Sequence, residues 1–410
     1  MALTDRRLKL IFSEDYESNV LLFWIFSYNS FINMIRFISK ISPRHLTGHA
    51  LIRVDFNTTD SWRMEAVIPT IQYVSGYADR IILITHKGRP VAQSFSRVDG
   101  TNSSQLATFS VAKDAQKLSR LLKKKVLFVG YDHFSSIQKI IRDLPSGSVI
   151  LLENIRFWKG EESNQAQFAR QLAGLGDYFV NDAFAVCHRA AASTVGITSF
   201  LPSYGGLSLE KEMLHLGALL KKPAHPFLVV IGGGKAADKL PVIKRLARLA
   251  DIFLVAGASA NTIYQSQGGD VRQSLIDSSV SNSDIAYFKK LIAVGTMMMP
   301  VDYAWENGKI LDIGPRTANL FAQQIARAKT ILWSGPAGFV EKKKFAVGSI
   351  AIAQAIVQNR IATTITGGGE TVEFLKRHGF DSQFTFVSTG GSALLDFLSG
   401  QKLPGIEALK

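Results

Sequence analysis

From Gly48 onward, short apolar runs alternate with segments of helical periodicity, and this alternation narrows the accessible folds more than any other feature of the chain. Strand-like runs fall at Ala50–Asp55, Arg80–Thr85, Val126–Val129, Ser148–Leu152 and Tyr178–Asn181, with helical spacing between them at Met64–Val74, Val111–Leu122 and Gln165–Leu175. A long amphipathic segment, Leu207–Leu220, leads into a second series. Its strand candidates are Pro226–Ile231, Asp251–Val255, Ile310–Ile313, Thr330–Trp333, Ala362–Thr366 and Phe384–Val387. Strands that alternate with helices predict parallel sheets covered on both faces. The expectation is an α/β chain of two doubly wound parallel-sheet lobes joined by a hinge helix, and 410 residues are enough for two cores. In such sheets ligands bind beyond the carboxyl ends of the strands.

Composition excludes several classes. An apolar content of 47% with 20% charged residues is that of a globular protein. The single cysteine, Cys187, rules out an internal disulfide and fits a reducing, cytoplasmic setting. The eight histidines are scattered and none forms a His-Glu-x-x-His face. A net charge of +14 favours anionic partners, of which nucleic acid, acidic lipid and phosphorylated metabolites all qualify. The cations are spread along the chain apart from Lys123–Lys125 and Lys342–Lys344, with no aromatic-rich RNA-binding motif beside them, so no specific nucleic acid is expected.

The apolar run Val20–Ile35 is interrupted by Ser27, Asn29, Ser30 and Asn33. It falls short of the about 20 predominantly apolar residues that a spanning helix needs. Acidic residues precede it and no small-residue cleavage site follows, which argues against a secretory signal. Two readings stand: an interfacial helix, and upstream sequence ahead of a true start at Met34, of which the second is the simpler. Membrane association is not expected.

Ile231-Gly-Gly-Gly-Lys-Ala-Ala-Asp-Lys239 joins a strand-like run to a helix-like one, Pro241–Leu249. Its glycines let backbone approach a ligand, and N–H groups at a helix start favour an anion. A helix would also place Lys235 and Lys239 on one face. The alternative is a tight turn with two solvated lysines. A P-loop is excluded because Val229 and Ala236 stand where it needs Gly and Ser or Thr. The dinucleotide fingerprint is met only loosely by Gly232, Gly234 and Ala237, since the next strand ends without an acid for the ribose.

In the first half, strand ends are followed by cations and hydrogen-bonding groups: Arg53-Val-Asp55-Phe-Asn57 with Arg63, His86-Lys-Gly-Arg89, Glu153-Asn154-Ile-Arg156, and Asn181-Asp182 with His188-Arg189. Four loops that each supply an arginine suggest an oxyanion pocket if they converge. The second half offers Asp312-Ile-Gly-Pro315, Trp333–Gly338 with Glu341, and Gly367-Gly-Gly-Glu370-Thr371. Two triglycine loops in one lobe favour nucleotide phosphates, and Glu370 is placed to hold a metal ion on them.

Taken in order, these motifs, with Leu151–Phe157 and Val387-Ser-Thr-Gly-Gly391, resemble phosphoglycerate kinase from about His45 to the C-terminus. The resemblance implies a triose-phosphate lobe, 45–204 with 395–410, in which Leu403-Pro-Gly-Ile406 packs back on that lobe. It also implies a nucleotide lobe, 205–394, after an extension over 1–44. Asp55, Asn57, Arg63, His86, Arg89, Arg156 and Arg189 would hold 3-phosphoglycerate or 1,3-bisphosphoglycerate. Gly234, Lys235, Lys239, Glu341, Gly367, Gly368, Gly369, Glu370 and Thr371 would serve ATP or ADP, with Glu370 on Mg2+. Arg63, Lys235 and Lys239 would be catalytic, hinge closure would join the substrates, and a monomer is implied.

The chain departs from the family pattern at Glu370 (usually Asp), Ser334 (usually Asn), Ala191 (usually His) and Ser392 (usually Gly). The connections after Asn57 and between Asp302 and Asp312 are also short. A non-catalytic homologue that binds ligands or a partner is therefore the competing class, against which the retention of Arg63, Lys235 and Lys239 argues.

Overall fold

The computed structural model describes residues 34–58, 61–90 and 107–410. The readings that fall on residues 1–33 lie outside them. The described residues form two compact units: those within 34–214 together with 402–410, and residues 215–401. The boundary between them lies inside the helix Leu207–Lys221.

The first unit contains β1 (His49–Arg53), β2 (Arg80–Ile84), β3 (Val126–Val129), β4 (Ser148–Leu152), β5 (Tyr178–Asn181) and β6 (Ser203–Gly205) in one parallel sheet of order β3-β4-β2-β1-β5-β6. Successive residues of β1 divide between two cores: Ala50 and Ile52 pack with Leu83, Leu151 and Val180, whereas Leu51 packs with Ile82, Ile150 and Phe179 on the other face. That is the two-residue period of a strand covered on both sides, and it explains why the strands read as near-continuous apolar runs. Each buried Leu, Ile, Val or Phe among them contributes about 1.5–3 kcal/mol. β6 was not foreseen; Ser-Tyr-Gly is too short and too weakly apolar to stand out.

Entry into this unit is also apolar. Ile35, Phe37 and Ile38 are buried, and the Phe37 ring occupies the space a Cβ on Gly205 would need, with Cδ1 at 2.6 Å. At the other end of the chain, Leu403, Ile406 and Leu409 are buried, and the Gly405 N–H donates to the Cys187 carbonyl at 2.8 Å. The Leu403-Pro-Gly-Ile406 segment thus lies on the loop that follows β5.

The second unit holds β7 (Phe227–Ile231), β8 (Ile252–Val255), β9 (Met297–Met298), β12 (Thr330–Ser334), β13 (Thr363–Gly367) and β14 (Phe386–Val387), all parallel, in the order β14-β13-β12-β7-β8-β9. The run Ile310–Ile313 does not join this sheet as the alternation implied. It belongs to β11 (Lys309–Ile313), which pairs antiparallel with β10 (Tyr303–Glu306) in a separate ribbon. Asn307 and Gly308 both have positive φ, at 49° and 70°, which is the geometry of a two-residue hairpin turn and a signal legible in the Asn-Gly dipeptide. Phe384 likewise falls outside β14, after the short 3₁₀ turn Asp381–Gln383.

Among the described residues no helix is long and apolar enough to cross a membrane.

Candidate functional site

In the first unit the chemistry gathers beyond the carboxyl ends of β1, β2, β4 and β5. Asp55 is buried two residues past β1; its Oδ1 accepts the Asn57 N–H at 3.0 Å and its Oδ2 takes an ion pair from Arg63 Nη1. Arg63 sits in the first turn of the helix Trp62–Ser75, its guanidinium 5.1 Å over the Trp62 ring. Its Nε is buried with no hydrogen-bond partner. Burial raises the Asp55 carboxyl, but Arg63, His86, the Asn57 N–H and Arg53 outweigh it and leave the group below the usual carboxylate range. It is an anion held in place by the guanidiniums of Arg63 and Arg53 and by the Asn57 N–H.

His86 follows β2 and is buried. Its Nδ1 lies 3.3 Å from Arg53 Nη2 and 3.7 Å from Asp55 Oδ1. Burial, with the charges of Arg53, Arg156 and Arg189, pushes its pKa down to about 3 against the pull of Asp55. His86 is therefore neutral. The next turn, Lys87-Gly88-Arg89, is clamped from both sides. Asn57 Oδ1 accepts the Gly88 N–H at 2.8 Å, Asn154 Nδ2 donates to the Lys87 carbonyl at 2.7 Å, and Arg156 Nη1 donates to the Gly88 carbonyl. Gly88 has φ of 59°, and a Cβ there would stand 2.3 Å from the Phe109 ring, so only glycine fits.

The structure thus brings Asp55, Asn57, Arg63, His86, Arg156 and Arg189 to one edge. The charges of Arg156 and Arg189 both act on His86, and Arg189 Nε lies 3.1 Å from His188 Nε2. Arg156 is buried and spends its Nε on Glu162 at 3.2 Å. Arg89 is exposed beside Gly88. Sequence reasoning gave no role to Arg53, Glu161 or Ser193, which underpin this edge from beneath. Nor did it foresee that Glu153 and Asn154 are scaffold: Glu153 accepts from Ser110 Oγ at 2.8 Å and from the Val111 N–H at 2.9 Å.

In the second unit the glycine loop after β7 departs from its simplest reading. The N–H groups of Gly232 and Gly233 donate to the carbonyls of Ser334 and Pro336 at 3.0 and 2.8 Å, so neither is free for an anion. Gly232 is required because a Cβ there would meet the Pro336 carbonyl oxygen at 2.2 Å. Gly234, by contrast, opens toward space, its nearest atom being Leu275 Cδ2 at 3.8 Å. Lys235 and Lys239 do not share a helix face. Only a 3₁₀ turn, Ala237–Lys239, precedes the helix Leu240–Leu246, leaving Lys235 exposed and Lys239 buried. The Ala237 N–H, at the start of this turn, is satisfied by Asp277 Oδ2 at 2.9 Å and so is not free for an anion.

Lys239 Nζ folds back to donate to the Gly232 carbonyl. Burial lowers its pKa to about 8, opposed by Glu370 and Asp238. Lys239 Nζ and Glu370 Oε2 lie 2.9 and 3.7 Å from the place a Gly233 Cβ would take. Glu370 opens the helix Gly369–Arg377, whose N-cap is Gly368 at φ 99°. Gly367 ends β13, and a Cβ there would strike Leu394 at 2.3 Å, so it serves packing; Gly369 faces open space. Thr371 is buried and accepts the Gly335 N–H at 2.8 Å, tying two loops together.

A cavity of about 280 Å³ adjoins these loops, lined by Gly234, Leu275, Phe339, Glu341 and Glu370 among others. Its volume is slightly below the about 300–1,000 Å³ usual for small-molecule sites. The altered positions are accommodated. Ser334 is buried at the end of β12, Ser392 is an exposed first residue of the helix Ser392–Ser399, and the Ala191 N–H donates to Thr194 Oγ1 at 3.2 Å.

The family model described as Phosphoglycerate kinase matches residues 46–401. The chain belongs to the phosphoglycerate kinase family. A phosphoglycerate kinase of Pelotomaculum thermopropionicum is 38% identical over 390 residues, covering 88% of this chain and 95% of that protein. One of Acidobacterium capsulatum is 37% identical, covering 91% and 99%. Among solved structures, the phosphoglycerate kinase of Coxiella burnetii aligns with a TM-score of 0.75 at 31% identity, covering 92% of this chain and 98% of that one. That of Pyrococcus horikoshii OT3 aligns with a TM-score of 0.75 at 29% identity, covering 88% and 95%. Two parallel six-stranded sheets are thus the architecture of phosphoglycerate kinases, and nucleotides are substrates of the family.

Proposed function

We propose that this phosphoglycerate kinase moves a phosphoryl group between ATP and 3-phosphoglycerate, giving ADP and 1,3-bisphosphoglycerate or the reverse, by direct in-line transfer. The observation that carries the reading is the cationic edge of the first unit, where Arg53, Arg156 and Arg189 act on a neutral His86 and Arg63 pairs with Asp55, on a chain that matches the family from 46 to 401. The attacking group is the substrate carboxylate, ionised near neutral pH, so no general base is needed. The protein has to align the partners and neutralise charge on the moving phosphoryl. Asp55, Asn57, Arg63, His86, Arg89, Arg156 and Arg189 are proposed to hold the triose. Gly234, Lys235, Lys239, Glu341, Gly367, Gly368, Gly369, Glu370 and Thr371 are proposed for the nucleotide. Arg63, Lys235 and Lys239 would carry the transfer, with closure of the units as the motion that commits it.

Among the described residues no cluster of three His, Cys, Asp or Glu side chains could bind a metal alone. The exposed Glu370 carboxylate at a helix start still fits Mg2+, which is commonly held by one carboxylate plus substrate phosphates. When bound there, the ion would neutralise phosphate charge. Lys239, on the protein's side, supplies an ammonium beside Glu370. A monomer in the cytoplasm, serving glycolysis, completes the reading.

The test is a coupled assay of ADP formation from 3-phosphoglycerate and Mg-ATP, run on the full chain and on a version beginning at Met34. Turnover is expected. Absence of turnover in both, with folding verified, would replace the reading by that of a non-catalytic homologue.

A further inference from the structure

Beneath the triose edge runs a buried chain of contacts. Glu161 is buried; its Oε1 accepts the Ser193 hydroxyl at 2.6 Å and its Oε2 accepts the Ser193 N–H at 2.9 Å. Ser193 Oγ in turn accepts Arg53 Nε at 2.9 Å. A hydroxyl has a single proton, so having given it to Glu161, Ser193 can meet Arg53 only as an acceptor. Arg53 is buried, and its other hydrogen bonds run from Nη1 to the Val54 and Ile84 carbonyls and from Nη2 to His86 Nδ1. Four of the five guanidinium N–H groups are thereby engaged inside the protein, which makes Arg53 a support and not a ligand.

Ser193 and Glu161 thus hold the Arg53 guanidinium in place, and its contact decides the state of the imidazole. A guanidinium can only donate, so His86 Nδ1 facing Arg53 must be the bare, accepting nitrogen, and the ring proton then belongs on Nε2. A protonated ring would aim an N–H at a cation 3.3 Å away. Asp55 Oδ1, at 3.7 Å, is too far to claim a proton from Nδ1 and already accepts the Asn57 N–H. Among the described residues nothing bonds to Nε2.

We propose that Glu161, acting through Ser193 and Arg53, fixes His86 as the neutral Nε2–H tautomer, so that His86 offers the substrate a hydrogen-bond donor and no charge. Glu161, Ser193 and Arg53 are positioning residues in this scheme. Its substrate half rests on the function proposed above. The groups that face the ring are Arg53, Asp55, Arg156 and Arg189, and the loss of the ring's affinity for a second proton agrees with their balance.

The experiment is a long-range ¹H–¹⁵N correlation spectrum of the uniformly ¹⁵N-labelled full chain without substrate, with His86 assigned by comparison with His86→Gln. The expected pattern is a protonated Nε2 and a bare Nδ1, unchanged between about pH 5 and 8, where an unperturbed histidine titrates. In Ser193→Ala and Glu161→Gln the pattern should give way to mixed tautomers, with the KM for 3-phosphoglycerate rising about tenfold and kcat changing less. An Nδ1–H or doubly protonated ring in the wild-type protein overturns the proposal, with no dependence on how the variants fold. Folded variants that keep both the tautomer and KM overturn the role of Glu161. If the tautomer stands as expected but the wild-type protein neither binds nor turns over 3-phosphoglycerate, the functional reading fails and the donor role with it.

Discussion

Lys239 and Glu370 face one another across Gly233, the ammonium and the carboxylate both within 4 Å of the place a Cβ on that residue would take. The lysine is buried, hydrogen-bonded to the Gly232 carbonyl of its own loop, and its pKa falls to about 8 through burial. An ammonium so placed is weakly solvated and readily redirected to a phosphate oxygen arriving beside Glu370.

If Lys239 acts as a cation, kcat/KM for ATP should decline as pH rises through about 8, because that parameter reports the free enzyme. Below that pH the ammonium is charged, and above it the neutral amine can no longer meet phosphate charge. Lys239→Arg should shift the declining limb to higher pH at reduced activity, and Lys239→Ala should lose about 10²–10³ in kcat. A pH–rate profile without a limb near 8 would count against the assignment.

Arg63, in the first unit, is paired with Asp55 yet has an unengaged Nε. Arg63→Ala should lower kcat by about 10²–10³ while leaving the KM for ATP within about threefold, as expected of a donor used mainly in the transition state. Steady-state kinetics with each substrate varied in turn would show it. Wild-type turnover in both Arg63→Ala and Lys239→Ala would remove the proposed transfer machinery.

Asp182 follows β5 and is buried, with its Oδ1 accepting the Leu209 N–H at 2.9 Å and its Oδ2 unpartnered. Burial pushes its pKa up to about 7 from 3.8, against hydrogen bonds that favour the anion. The folded state therefore holds the proton more tightly than the unfolded chain. This contribution to stability is fully present below the unfolded pKa and is lost as pH rises through about 7. Asp182→Asn should remove that dependence, raising the thermal midpoint relative to wild type at pH 8 more than at pH 5. Parallel midpoints at both pH values would contradict it.

The two glycines that read alike in the sequence should respond differently. Gly232→Ala places a methyl 2.2 Å from the Pro336 carbonyl oxygen and must push two strand-end loops apart. A cost of about 1–3 kcal/mol is expected, as for other overpacked sites. Gly234→Ala has 3.8 Å of clearance and should fold with near wild-type stability while raising the KM for nucleotide, since Gly234 lines the cavity. Denaturation curves and nucleotide titrations of the two variants separate these outcomes.

The sequence by itself determined the two series of strands, because a strand buried on both faces must be written in contiguous apolar residues such as Phe227-Leu-Val-Val-Ile231. It also determined the family, because motifs from Arg53 to Gly391 recur in one order along the chain. Local signals could even have separated β11 from the parallel series, since Asn307-Gly308 marks a hairpin. What only the tertiary structure decided depends on partners distant in the chain. Gly232 and Gly233 give their N–H groups to a loop about a hundred residues on, Lys239 is buried while Lys235 is exposed, and Arg53 is committed to Ser193 and His86. Burial and bond direction set the charge of His86, Asp182 and Lys239, and neither is a property of residue type or spacing.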